Sequence, residues 1–199
     1  MKKPLVLVCL AGLMVLFASM PALANANMYF SNAGSNNYHG VSSYPYYLTV
    51  NGGPLQAMMC AGYNEHIYDG ESWQATAVSV GSLDPVANVK DYQAAYLFTQ
   101  AVKSGDPNGY YNAAVWFLFE GVPPLDTTPL GYFNTAISQA YSLGEFSGVI
   151  LYTAIAGTET GTDGVAQNFF ATTPEPGSLL LMGTGILGIA GAFRRKFNL

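Results

Sequence analysis

The 199-residue sequence predicts an α+β fold, a mainly antiparallel sheet or barrel with three inserted helices. Three observations predict it. Runs of two-residue alternation rich in aromatic and β-branched residues lie at 46–50 and 72–80. Between 88 and 142 the apolar spacing changes to three and four residues, in three segments punctuated by glycine and proline. Strand-like runs then return at 149–155 and 166–172. Strands, then helices, then strands is the order of an antiparallel sheet carrying its helices together. Apolar runs flank this domain, an N-terminal signal helix and a C-terminal transmembrane helix.

At the N-terminus, Lys2 and Lys3 precede an uncharged run over 5–20, followed by Pro21-Ala22-Leu23-Ala24. Small residues at Ala22 and Ala24 form a signal-peptidase pattern, so residues 1–24 read as a signal peptide for the general secretion machinery. Ala26 offers a second cleavage site two residues later. Cys9 lies inside the apolar run and leaves with it. Residues 25–45, rich in Asn, Ser, Gly and Tyr, read as a flexible lead-in to an exported domain over 46–172.

Within that domain, 46–50 is a β-rich run closed by Asn51-Gly52, a dipeptide suited to the positive φ angles of a tight hairpin turn. The return strand over 55–63 carries Cys60. A third strand, 72–80, puts Trp73, Ala75 and Ala77 on one face and Gln74 and Thr76 on the other. Asn88 and Asp91 open a helix whose apolar stripe is Ala94, Leu97, Phe98 and Ala101, opposite Gln93, Gln100 and Lys103, and Gly105 ends it. Asp106-Pro107 opens the next helix, to Glu120, where Gly121 and Pro123-Pro124 stop it. Tyr111, Ala114, Val115 and Leu118 line one face, and Asn112 and Trp116, four apart, share the adjacent one. A third helix over about 130–142 buries Phe133, Ala136, Ile137 and Ala140 before Gly144. The Gly, Thr and acid-rich residues 157–164 form a loop between the last two strands, where Glu159 and Asp163 lack the spacing of a calcium loop.

Composition narrows the functional classes. Between 25 and 175 only Lys90 and Lys103 are basic, while all twelve acids lie between 65 and 175, giving that part a net charge of −10. Such a surface repels phosphate backbones, so nucleic acid is not an expected partner. Cys60 becomes the only cysteine, which excludes an internal disulfide. His39 and His66 are the only histidines. With one cysteine they supply no four-ligand zinc set, and no phosphate-binding loop is present, so no metal, cofactor or catalytic residue is assigned. Glu65, Asp69 and Glu71 cluster near Trp73 as an acidic surface loop, or alternatively as an acidic pair of a secreted carbohydrate hydrolase.

The C-terminal residues 173–199 combine Pro174-Glu175-Pro176, an uncharged segment over 177–193, and Arg194-Arg195-Lys196 close to the end. Seventeen uncharged residues give about 25 Å of helix, a short membrane span. The basic cluster favours the cytoplasmic side. In that order and place these features resemble the PEP-CTERM sorting signal. The resemblance implies recognition by an exosortase in the inner membrane, with Pro174, Glu175 and Pro176 marking processing; the alternative is an ordinary C-terminal anchor.

A second resemblance lies in Leu-Gln-Ala-Met-Met-Cys60-Ala-Gly-Tyr, Gly-Glu71-Ser-Trp73 and Asn112-Ala-Ala114-Val115-Trp116. These look like bacterial thioester domains, in which a strand cysteine bonds to a helical glutamine four residues before a tryptophan. The position of that glutamine is Asn112, shorter by one methylene, about 1.5 Å. The resemblance implies a Cys60/Asn112 pair on a shared fold; the alternative for Cys60 is a small buried residue of an apolar strand.

Together these readings point to an exported envelope or extracellular-matrix protein, held transiently in the inner membrane with its domain in the periplasm and then placed at the cell surface or outside. A non-enzymatic role beside exopolysaccharide suits its abundant Tyr and Asn. The alternatives are a covalent surface adhesin acting through Cys60 and the secreted hydrolase.

Overall fold

The computed structural model describes residues 25–160 and 167–173. The signal segment with Ala22 and Ala24, the loop residues 161–166 with Asp163, and the tail with Pro174-Glu175-Pro176, 177–193 and Arg194-Arg195-Lys196 lie outside the described residues. Among the described residues no helix is long and apolar enough to cross a membrane.

Eight strands are described: β1 (Asn25–Ala33), β2 (Asn37–Tyr38), β3 (Val41–Ser42), β4 (Tyr46–Val50), β5 (Gln56–Cys60), β6 (Ser72–Ser79), β7 (Val149–Ala154) and β8 (Phe169–Thr172). Six of them close a barrel in the order β1-β4-β5-β8-β7-β6, and β2 and β3 form a separate hairpin. Every pairing in the barrel is antiparallel. Closure removes the exposed edges that an open sheet would present. Between β6 and β7 run three helices, α1 (Val89–Ser104), α2 (Tyr110–Glu120) and α3 (Thr127–Ile137), so the α+β class and the inserted helices stand as the sequence predicts.

Residues 25–45 are not a loose lead-in. Ala26, Met28 and Phe30 alternate with exposed neighbours and fill the barrel, and β1 pairs with both β4 and β6. The alternation outweighs the weak strand preference of the intervening Asn residues, because the pleat turns them outward. Two other expectations shift. The third helix lies earlier, at Thr127–Ile137, buries Ala136 and leaves Ile137 and Ala140 exposed. Gln93, assigned to the outer face of α1, is buried. The hairpin forms as expected: Asn51 and Gly52 both have positive φ, and Gly53 N donates to Val50 O at 2.9 Å.

Two apolar cores result, one on each face of the sheet. Inside the barrel, Met28, Leu48, Met58, Cys60, Trp73, Ala75 and Phe169 pack together, with Ala113 and Trp116 of α2 entering from one end. On the outer face, Met59, Leu151 and Phe170 pack against Leu97 and Phe98 of α1 and Ala114, Val115 and Leu118 of α2. Period two on β5 and β8 sends Cys60 and Phe169 inward and Met59 and Phe170 to the helices.

Phe169 is fully buried between Trp73 and Tyr46, at ring-centroid separations of 6.0 and 5.8 Å. Phe169→Ala removes that contact from the centre of the barrel. Urea denaturation is expected to show a loss of about 3–5 kcal/mol, and a loss well below 1 kcal/mol would contradict this packing.

Candidate functional site

The end of the barrel entered by α2 gathers most of the polar chemistry. Cys60 is the last residue of β5, 1% exposed, and its thiol donates to Gly62 O at 3.3 Å. Trp116 Nε1 donates to the sulfur at 3.3 Å. Asn112, one turn earlier on α2 and fully buried, donates through Nδ2 to Cys60 O at 2.9 Å, while its Oδ1 accepts from Tyr44 N at 2.8 Å. The same Nδ2 stands 4.0 Å from Cys60 Sγ. The structure therefore brings Cys60, Asn112 and Trp116 together, with the carboxamide already engaged at both ends by backbone.

Asp106 sets the position of α2. The helix begins at Tyr110 rather than beside Asp106-Pro107, because the intervening residues make a turn with Gly109 N bonded to Asp106 O at 3.0 Å. Gly109 has φ +68°, and a Cβ there would come within 2.5 Å of Ser43 Oγ, so glycine suits both the backbone and the space. From below the turn the buried Asp106 carboxylate accepts from Tyr111 N at 3.1 Å and Asn112 N at 3.2 Å, which caps free amides of the first helical turn. At the other end of α2, Glu120 accepts from Tyr63 N at 2.6 Å and Asn64 N at 3.1 Å and holds the loop after β5.

Burial pushes the Cys60 thiol up to about 11, against the lowering effect of hydrogen bonds from Trp116 and Asn112. The thiol is therefore protonated at neutral pH, the opposite of an activated nucleophile. Tyr46 is likewise raised, by burial and then by the neighbouring Cys60, and its hydroxyl donates to the Ser42 carbonyl. Glu65 lies above the usual carboxylate range because it is partly buried and because Glu120 is near.

The other sequence candidates are dispersed. His39 Nε2 meets Asp126 Oδ2 at 2.9 Å, and His66 is exposed on the loop after β5; neither is among the described hydrogen-bond partners of Cys60. Glu71 is buried and accepts from Tyr68 N at 2.9 Å, whereas Asp69 is exposed. Among the described residues no three His, Cys, Asp or Glu side chains converge as a metal site. Asp106 caps the helix as the sequence suggests, but from outside it, across the turn that precedes Tyr110 rather than from beside it. Sequence reasoning missed Gln167, which is 5% exposed at this same end with its Oε1 unpartnered among the described residues. Gln167 precedes β8 without any local pattern that would single it out.

A PEP-CTERM protein-sorting motif matches residues 172–196. The chain thus carries the signal of an exported protein, with a C-terminal membrane-anchoring segment and exosortase as its processing partner. No curated protein matches the chain. Among solved structures, the N-terminal thioester domain of a surface protein from Clostridium perfringens is similar at a TM-score of 0.45 and 10% identity, covering 75% of this chain and 99% of that one. That is a weak structural resemblance.

Two outcomes test this geometry. Asn112→Ala leaves Tyr44 N and Cys60 O buried without their partner, so a stability loss of about 2–4 kcal/mol is expected in denaturant titration; an unchanged midpoint would refute the bridging role. Glu65 has a folded value raised above 4.5, so its contribution to stability is present below that pH and lost as pH rises through the folded value. Glu65→Gln is expected to remove that decline as pH rises above 4.5, and an identical pH–stability curve would argue against it.

Proposed function

We propose that the protein is a non-catalytic component of the cell envelope or extracellular matrix, delivered by the general secretion machinery and exosortase and associated with exopolysaccharide. The sorting motif at 172–196 carries this reading. A buried, protonated thiol and a carboxamide occupied by backbone favour a structural over a catalytic use of the Cys60 cluster. The abundance of Tyr in the chain, 14 residues, together with the acidic charge, suits contact with neutral glycans rather than with nucleic acid. The domain is held in the periplasm by the tail and then passes to the surface or the medium.

One observation favours a second reading, a covalent surface adhesin: the Asn112 amide nitrogen stands 4.0 Å from Cys60 Sγ. Attack of the thiolate on the amide carbon would form a C–S bond, break the C–N bond and release ammonia, the leaving nitrogen taking the thiol proton. The shorter side chain would have to draw α2 toward β5 and strain the packing at Ala114 and Trp116.

Replacing Pro174-Glu175-Pro176 with alanines is expected to leave export intact and to trap the protein in the inner membrane of its host; equal release of variant and parent would count against sorting. Intact mass separates the two readings. The parent is expected to retain the full mass and to react with a maleimide only after unfolding, whereas an ammonia-sized deficit that vanishes in Cys60→Ala would establish the covalent one.

A further inference from the structure

Two cavities adjoin at the end of the barrel where the hairpin of β2 and β3 meets the loop after β5. The larger has a volume of about 590 Å³ and the smaller about 140 Å³. Val41, Tyr63 and Trp116 line both, so they form one furrow. The larger part alone falls within the range of small-molecule sites, roughly 300–1,000 Å³.

Its walls have a distinct chemistry. Tyr63, half-buried and packed edge-on against Trp116 at 5.2 Å, and the exposed Tyr68 supply flat apolar faces. Glu65 and Asp69 supply acceptor oxygens beside them. Gln167 also lines the larger cavity, and its Oε1 is a buried acceptor without a partner among the described residues. A buried acceptor left unpaired is costly, and a donor brought by a ligand relieves the cost. Among the described residues no Lys or Arg lines either cavity; His66 lines the larger, and His39, paired with Asp126, the smaller. Anionic ligands would therefore meet the carboxylates without a permanent counter-charge.

We propose that this furrow binds a non-anionic hexose residue of a polysaccharide, its ring face on Tyr63 and Tyr68 and its hydroxyl or amine donors on Glu65, Asp69 and Gln167. A sugar ring presents a C–H face for the aromatic rings and a rim of donors for the carboxylates and the amide, and an amino sugar adds attraction of its ammonium to both. The inference deepens the glycan-associated part of the proposed function and rests on it.

The full chain, purified in mild detergent, is titrated with cellohexaose, a glucosamine hexamer and an oligogalacturonate, and binding is read by calorimetry and by the fluorescence of its two tryptophans. Saturable binding of the neutral or the amino hexamer is expected, with the oligogalacturonate inert. Tyr68→Ala, at a residue 56% exposed, is expected to weaken binding roughly tenfold, and Tyr68→Phe to restore it. Gln167→Leu is expected to weaken it about fivefold. Tyr132→Ala, remote from the furrow, leaves it unchanged. No saturation by either hexamer up to about 10 mM, equal binding of the oligogalacturonate, or full affinity in both Tyr68→Ala and Gln167→Leu would overturn the proposal. Sorting of the same variants is scored in the host: normal sorting without sugar binding removes the furrow alone, and failed sorting with sugar binding removes the export reading alone.

Discussion

The Asn112 carboxamide donates to the carbonyl of Cys60 at the end of β5 and accepts from the amide of Tyr44 just before β4. One buried side chain thereby joins two adjacent barrel strands to α2, and the rest of the barrel mouth follows from it. Fixing α2 at that height places Trp116 over the sulfur and Ala113 inside the barrel, while the opposite face of the helix completes the second core. Both ends of the amide are satisfied, so the group is not left as an unpaired polar atom in a dry interior. Asp106 supports the arrangement from beneath by bonding the amide of Asn112 itself.

This dependence explains why the thiol is quiet. A cysteine becomes nucleophilic where positive charge or a helix N-terminus stabilises the thiolate. Cys60 instead lies in an apolar interior, and the hydrogen bonds from Trp116 and Asn112 do not offset the loss of water. The polar groups at the mouth are acidic or neutral, and Glu65 and Glu120 repel one another there. Such a surface favours ligands rich in donors over those rich in negative charge.

Much of this was legible in the sequence where one local rule dominated. The Asn51-Gly52 turn and the alternation of Trp73, Ala75 and Ala77 appear where expected, and the four-residue spacing of Asn112 and Trp116 puts both on the side of α2 that faces the barrel. The losses came where tertiary contacts overrode local preference. In β1 the Asn-rich composition hid an alternation that only barrel closure makes valuable, and Gln93 is buried although it lies off the apolar stripe of α1. Asp106 looks like an adjacent cap in sequence, yet it reaches α2 across a turn. Gln167 owes its position to the pairing of β5 with β8, a contact more than a hundred residues apart along the chain.

The last described residues tie the sorting motif to the barrel. Thr172, where the sorting motif begins, is still paired with Val149, and Thr173 N still bonds Gly148 O at 2.8 Å. Among the described residues, the barrel's last hydrogen bond thus lies one residue before Pro174. The first residue of the matched motif therefore belongs to the sheet, and Thr172 is at once the end of β8 and the start of the sorting sequence. Folding of the barrel and presentation of the motif share a residue, so whatever unpairs β8 also changes the chain on which the motif begins.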